Sequence, residues 1–219
     1  MKILTFIVIL LLIQKSSAQI VINEKTEIKT VIDKTTGKII SMDTIRRMIE
    51  QKRSLNLLPV INEYGEVSHH IFHGNEIPNM MDKSLIVKVG ENFPPFIMKT
   101  LDNDTIYSSK LLGKIVILDF WMMITKKTPL SRFESLISAS KSNDKIVPLI
   151  ICQSSETDAR EFVDSTKIKI PLVSDAYNFH KRYQIFQVPM YIIIDKKGKL
   201  VGYFKYEDEL KIALLNLKD

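Results

Sequence analysis

Apolar residues fall along this chain in two different patterns. Up to about Ile86 they form short, broken runs. Gln19–Asn23 and Ile28–Asp33 have strand character, and Thr35-Thr36-Gly37-Lys38 is a turn before Ile39-Ile40. Ser41-Met42-Asp43 then offers a helix start, and Met42, Ile45, Met48 and Ile49 share one face of a helix to about Lys52. Leu57–Ile61 and Val67–Phe72 flank Asn62-Glu63-Tyr64-Gly65-Glu66 as a hairpin. Gly74 to Ser84, with Pro78 and little periodicity, reads as a linker.

From about Leu85 strands and helices alternate. Lys114–Phe120 and Ile146–Cys152 are nearly continuous apolar runs, the pattern of strands covered on both faces. A helix should follow Pro129, with Phe133, Leu136 and Ile137 turned inward. Thr157–Thr166 and Tyr177–Gln184 read as two more helices. Met190–Asp195 and Leu200–Tyr206 are strands joined by Lys196-Lys197-Gly198-Lys199, where Gly198 supplies a positive φ. An amphipathic helix over Glu207–Leu217 closes the chain. The expected class is α/β: a mixed sheet flanked by helices, preceded by a small α+β N-terminal module.

The first residues have another character. Met1-Lys2 is a positive start, Ile3 to Ile13 is apolar but for Thr5, and Ser16-Ser17-Ala18 ends in small residues. This is the pattern of a secretory signal peptide cleaved after Ala18. The apolar run is too short for a bilayer that needs about 20 residues. The expected organisation is a signal peptide at 1–18, a module and linker at 19–86 and a second domain at 87–219. No membrane span is expected after cleavage, and the absence of a cysteine behind the apolar run argues against a lipid anchor.

Charge changes the picture little. The net charge is +6, and loss of Lys2 and Lys15 with the signal peptide would leave +4. No arginine-rich run with interleaved aromatics is present, so nucleic acid is not an expected partner. Cys152 is the only cysteine, so no internal disulfide can form and the fold rests on its core.

Local sequence then points to a family. Val89-Gly90-Glu91-Asn92-Phe93-Pro94-Pro95-Phe96 resembles the V-G-x-x-x-P-x-F opening of the periplasmic redoxin and peroxiredoxin branch. Thr100–Asp104 fits the polar hairpin that follows it, and Leu111–Trp121 resembles L-x-G-K-x-V-x-L-x-F-W. Tyr183–Lys199 resembles Y-x-V-x-x-x-P-x-x-x-x-I-D-x-x-G-x. The resemblance is to the thioredoxin-like superfamily, in its redoxin and thiol-disulfide oxidoreductase branch, and it leaves the N-terminal module uncovered.

In that branch Phe-Trp is followed by a Cys-x-x-Cys pair. Counted from Trp121, the two positions fall on Thr125 and Thr128. Exchange of disulfides needs a thiolate, which a helix N-terminus favours. A threonine hydroxyl neither ionises there nor forms a mixed disulfide. Pro189 occupies the position of the family's cis-proline, whose neighbouring backbone pairs with extended peptides. The resemblance therefore implies a groove between Thr125–Thr128 and Val188-Pro189.

Other candidates are weaker. Cys152 ends a buried strand and reads first as a small apolar residue. Lys126 and Lys127, at an expected helix start, could hold an anion, or could simply be a solvated turn. His69 and His73 would stand about 13 Å apart on a strand, too far for one metal. His180 reads as exposed on a polar helix face. No cofactor or metal is expected.

The reading is an exported thioredoxin-fold protein of the periplasm or cell envelope, or secreted, without catalytic thiols. It would bind an extended polypeptide or an envelope protein through Trp121, Thr125, Lys126, Lys127, Thr128, Val188 and Pro189. The alternative is an oxidoreductase with one-cysteine chemistry at Cys152, which requires that thiol to be accessible. A third possibility is a structural domain whose N-terminal module carries the function.

Overall fold

The computed structural model describes Ile28, residues 30–78 and residues 85–217. The expected signal peptide, the Gln19–Asn23 strand and most of the linker lie outside the described residues. The described chain forms two compact units, one from residues up to Leu58 with His70–Pro78, the other from Pro59–His69 with the residues from Leu85 onward. The division therefore crosses the chain more than once.

The first unit takes its shape from strands β1 (Val31–Asp33) and β2 (Ile39–Ile40), helix α1 (Met42–Glu50), and strands β3 (Leu57–Ile61) and β4 (Val67–Phe72), which continue into the second unit. The sheet order is β2-β1-β4-β3. The Asp33 carboxylate accepts the N–H groups of Thr35 and Thr36 and so forms the predicted turn. Ser41 caps α1 by accepting the Thr44 N–H at 3.3 Å. Val31, Ile45, Leu57 and Phe72 make the small core.

The second unit is a five-stranded sheet of order β11-β10-β7-β8-β9. Its strands are β7 (Ile115–Trp121), β8 (Ile146–Cys152), β9 (Leu172–Val173), β10 (Met190–Ile194) and β11 (Leu200–Phe204). β7 pairs in parallel with β8 and antiparallel with β10. Helices α2 (Glu134–Ser142), α3 (Glu156–Thr166), α4 (Tyr177–Arg182) and α5 (Glu207–Leu215) cover it, and β5 (Ile97–Lys99) and β6 (Thr105–Tyr107) form a separate hairpin. Side chains alternate across β7. Ile115 and Ile117 enter one core with Phe133, Leu136, Phe162 and Leu210. Val116, Leu118 and Phe120 enter the other with Phe96, Met98, Phe179 and Tyr183. Each such fully buried aliphatic side chain contributes about 1.5–3 kcal/mol.

The hairpin tip at Pro59–His69 belongs to this unit. Ile97 N–H donates to the Glu63 carbonyl at 2.8 Å, and Asn178 Nδ2 donates to the Gly65 carbonyl at 2.8 Å. Arg182 donates from its two terminal nitrogens to the carbonyls of Ile61 and Pro95. A β-carbon on Gly65 would lie 2.8 Å from the Phe179 ring, so the tip reaches α4 only because that residue is glycine.

Candidate functional site

β7 delivers Trp121 to the carboxyl end of the sheet, and β10 brings Met190 opposite Phe120. Pro189, whose bond to Val188 is cis, therefore stands at the same end as the loop after Trp121. The structure thus brings the predicted Thr125–Thr128 and Val188-Pro189 segments to one edge.

The loop is held at its root. Gln153 N–H is shared between the carbonyls of Trp121 and Met122, at 3.2 and 3.1 Å. The buried Ser154 hydroxyl engages both polar groups of the Ile124 backbone: its oxygen accepts the Ile124 N–H at 2.6 Å, and it lies 2.9 Å from the Ile124 carbonyl, to which it donates. Ile124 itself is fully buried. Between Trp121 and Ile124 the chain bulges outward, leaving Met122 57% and Met123 68% exposed.

Thr125 and Thr128 close a tight turn. Thr128 N–H donates to the Thr125 carbonyl at 2.8 Å, and Thr125 N–H donates back to Thr128 Oγ1 at 3.0 Å. Lys127 N–H donates to Thr125 Oγ1 at 3.3 Å. These bonds correct the expectation of an anion site at a helix start. The helix does not begin at Lys126 and Lys127: a 3-10 turn spans Leu130–Phe133 and α2 starts at Glu134. The N–H groups of Thr125, Lys127 and Thr128 face the turn's own acceptors. Lys126 lies 3.4 Å from Glu161, with both side chains half exposed, a pair worth little. Pro129, which has no N–H to donate, fixes the delay by standing at the cap of the 3-10 turn.

Cys152 pairs in register with Trp121 but is fully buried, and burial pushes its thiol up to about 11. At neutral pH it is a protonated, enclosed thiol. The one-cysteine reading required an accessible thiol, and the structure gives it none.

Two buried polar groups below the edge escaped the sequence reading. Asp119 interrupts the apolar run of β7 and shares the Trp121 face of the strand. Its Oδ2 accepts the Trp121 indole N–H at 2.7 Å, while Oδ1 has no hydrogen-bond partner. Burial, with a smaller contribution from Glu207, raises its carboxyl to about 8. His180, expected at the surface, is 2% exposed. Its Nδ1 lies 3.0 Å from the Ala176 carbonyl and its Nε2 3.1 Å from the Trp121 carbonyl, with Phe120 edge-on at 4.9 Å. Burial lowers its basicity, and as a neutral ring it donates to one of the two carbonyls at a time. Helix α4 turns His180 inward because Ala176, Phe179 and Tyr183 on that side enter the core. An isolated histidine among charged neighbours gave no sign of this. A lone aspartate inside a seven-residue apolar strand was a legible signal.

The histidines of the hairpin form no comparable site. His69 and His70 lie on β4 and His73 follows it, and the His69 ring bonds the neighbouring Ser68 hydroxyl at 2.9 Å. Among the described residues no group of three metal-ligating side chains converges.

Residues 89–203, just over half of the chain, match the model of the AhpC/TSA family. The chain belongs to the AhpC/TSA family. Curated proteins similar to it include a thioredoxin-like protein and thiol-disulfide oxidoreductases. It is 27% identical over 157 residues to the thiol-disulfide oxidoreductase ResA of Halalkalibacterium halodurans, across 70% of this chain and 87% of that one. It is 25% identical to the thioredoxin-like protein YneN of Bacillus subtilis, across 53% and 71%. The thioredoxin domain of a thiol-disulfide oxidoreductase from Bacteroides vulgatus has the same fold, with TM-score 0.50 at 18% identity over 60% of this chain and 99% of that one. The family fold is thus present, and the loop after Trp121 carries Thr125, Thr128 and two exposed methionines.

Proposed function

We propose that this protein is an exported, non-catalytic thioredoxin-fold protein of the periplasm or cell envelope that holds an extended polypeptide at the Thr125–Thr128 and Pro189 edge. The signal-peptide pattern supports export, and no helix among the described residues is long and apolar enough to cross a membrane. Met1–Ala18, which carries that pattern, lies outside those residues.

The observation that carries the reading is the position of the chain's single thiol. Cys152 is enclosed, while the loop after Trp121 exposes Met122, Met123, Lys126 and Lys127 and carries the half-buried Thr125 and Thr128. Exchange chemistry needs an accessible thiolate. Apolar, adaptable side chains beside unreactive hydroxyls suit reversible contact with an unfolded segment. Trp121, Lys126, Lys127 and Val188 would complete the binding face.

The test has two arms. In the first, the chain and its Cys152→Ser variant are added to the reduction of insulin by dithiothreitol; neither should accelerate it. In the second, fluorescent, reduced and carboxymethylated α-lactalbumin serves as an unfolded probe. Wild type should bind it, and a Met122→Asp/Met123→Asp variant should bind at least tenfold more weakly. Acceleration by wild type that disappears in Cys152→Ser would overturn the non-catalytic reading. Equal probe binding by both proteins would move the binding face elsewhere.

A further inference from the structure

The opposite end of the same sheet has a second character. Lys196, Lys197 and Lys199 lie on the β10–β11 turn, and Lys110 and Lys114 lie before β7. Gly113 N–H donates to the Lys196 carbonyl at 2.8 Å, which joins these two loops. Ile115 N–H donates to the Lys145 carbonyl at 2.8 Å, which adds the loop before β8. All six lysines are exposed, and none makes an ion pair among the described residues. Lys110 instead lies over the Tyr107 ring at 4.6 Å. Among the described residues the carboxylates at this end are fewer. Asp195 accepts the N–H groups of Lys197 and Lys199, Glu91 accepts that of Lys88, and Asp144 stands beside Lys145.

Apolar groups protrude among these charges. Leu112, between Lys110 and Lys114, is 62% exposed, and Val89 is 69% exposed. Leu112 leans over the turn, since a β-carbon on Gly198 would lie 3.3 Å from its Cδ2. Beside it opens a cavity of about 270 Å³ walled by Phe93, Pro94, Pro95, Phe96 and Leu111, with Ser108 and Lys197 also among its lining.

We infer that this end of the domain is a peripheral membrane-binding surface for anionic phospholipid. Each lysine near a negative bilayer surface contributes about 1 kcal/mol, roughly a fivefold gain in binding. Leu112 and Val89 are placed to enter the interfacial layer while the lysines meet phosphate groups. A nucleic acid would satisfy the lysines but would leave the protruding leucine and the proline-phenylalanine cavity unused. The candidate polypeptide edge lies about 20 Å away along β7, at 3.3 Å per residue, so both surfaces can be occupied at once.

The experiment is co-sedimentation of the full chain with vesicles of equal parts phosphatidylglycerol and phosphatidylcholine, against phosphatidylcholine alone. The readout is the part of the difference between the two vesicle types that the variants below remove, because Met1–Ala18, with Lys2 and Lys15, is common to every protein tested. Wild type should show a charge-dependent component that salt weakens. Lys110→Glu/Lys197→Glu should lower it at least tenfold, and Leu112→Ser should lower it severalfold with the lysines intact. Lys126→Glu/Lys127→Glu makes the same change of charge at the other end and should leave it within twofold. Circular dichroism confirms that each variant is folded. Equal binding to both vesicle types, or loss in the Lys126/Lys127 variant alone, would overturn the inference. So would binding of a short DNA duplex that depends on Lys110 and Lys197 without any preference for anionic vesicles.

Discussion

The indole of Trp121 donates to the carboxyl of Asp119 at 2.7 Å inside the sheet, two residues apart on one face of β7. Asp119 is fully enclosed, and its carboxyl is raised to about 8 from an ordinary 3.8. The folded protein therefore holds a proton there at pH 7 that the unfolded chain releases. Stability contributed by this group is greatest below about pH 4, falls as pH rises, and levels off above about pH 8. Asp119→Asn keeps an acceptor for the indole and removes the ionisation. It should raise stability at pH 7 by a few kcal/mol, since each tenfold change in proton affinity is worth about 1.4 kcal/mol, and should be near neutral at pH 4. Thermal unfolding across that range checks this; parallel curves for the two proteins would rule it out.

Gly65 should resist substitution more than other glycines of the same backbone conformation. Its φ is +75° and Phe179 occupies the space of a side chain, whereas Gly37, at φ +68°, has nothing within 4 Å. Gly37→Ala should cost about 1 kcal/mol from backbone strain alone. Gly65→Ala adds a clash and should cost about 2–4 kcal/mol. Urea titrations of both variants give the comparison, and equal losses would mean that the ring yields without cost.

Cys152 should be invisible to thiol reagents in the native state. At pH 8 a disulfide reagent such as Ellman's should label it only as fast as the protein opens. One equivalent should react at once in guanidinium chloride. Prompt labelling of the native protein would show that the thiol is reachable.

Ser154 should matter for the loop more than its size suggests. Ser154→Ala leaves the Ile124 N–H and carbonyl without their partner inside the protein, a loss of about 1–3 kcal/mol. Hydrogen exchange at Ile124 and Thr125 should quicken by tenfold or more, with the amides of β7 unchanged. Uniform quickening across the sheet would indicate a global effect instead.

Most strands were legible because their signal is local. Ile146–Cys152, Leu57–Ile61 and Val67–Phe72 have the predicted limits, and β7 differs by one residue at each end. β9 was missed: it is two residues long and follows Pro171, so it shows no period. The helix expected after Pro129 opens as a 3-10 turn over Leu130–Phe133 before α2 begins, and the helix start expected at Lys126 and Lys127 is a closed turn because Thr125, Lys127 and Thr128 spend their N–H groups on its own acceptors. That competition rests on Thr128 Oγ1 folding back to Thr125, which spacing does not reveal. The depth of His180 was likewise fixed by packing of α4 and not by its own neighbours. Trp121, Thr125, Thr128 and Pro189 enter the candidate edge from the family motif alone. Ser154, which holds the loop, lies 30 residues beyond Ile124 in the chain, and only the packing of the loop against the end of β8 brings the two together.

Glu63, Gly65, Asn178 and Arg182 bear on how the molecule can be divided in the laboratory. A fragment starting at Leu85 would strip Ile97 and Asn178 of the carbonyls they hold, leave Arg182 only that of Pro95, and bare the Phe179 ring to water. A complementary fragment ending there would carry a hairpin tip shaped for a surface it no longer has. Expression boundaries for the second unit therefore belong ahead of Pro59, so that the piece carrying α4 inherits the hairpin tip that packs on it.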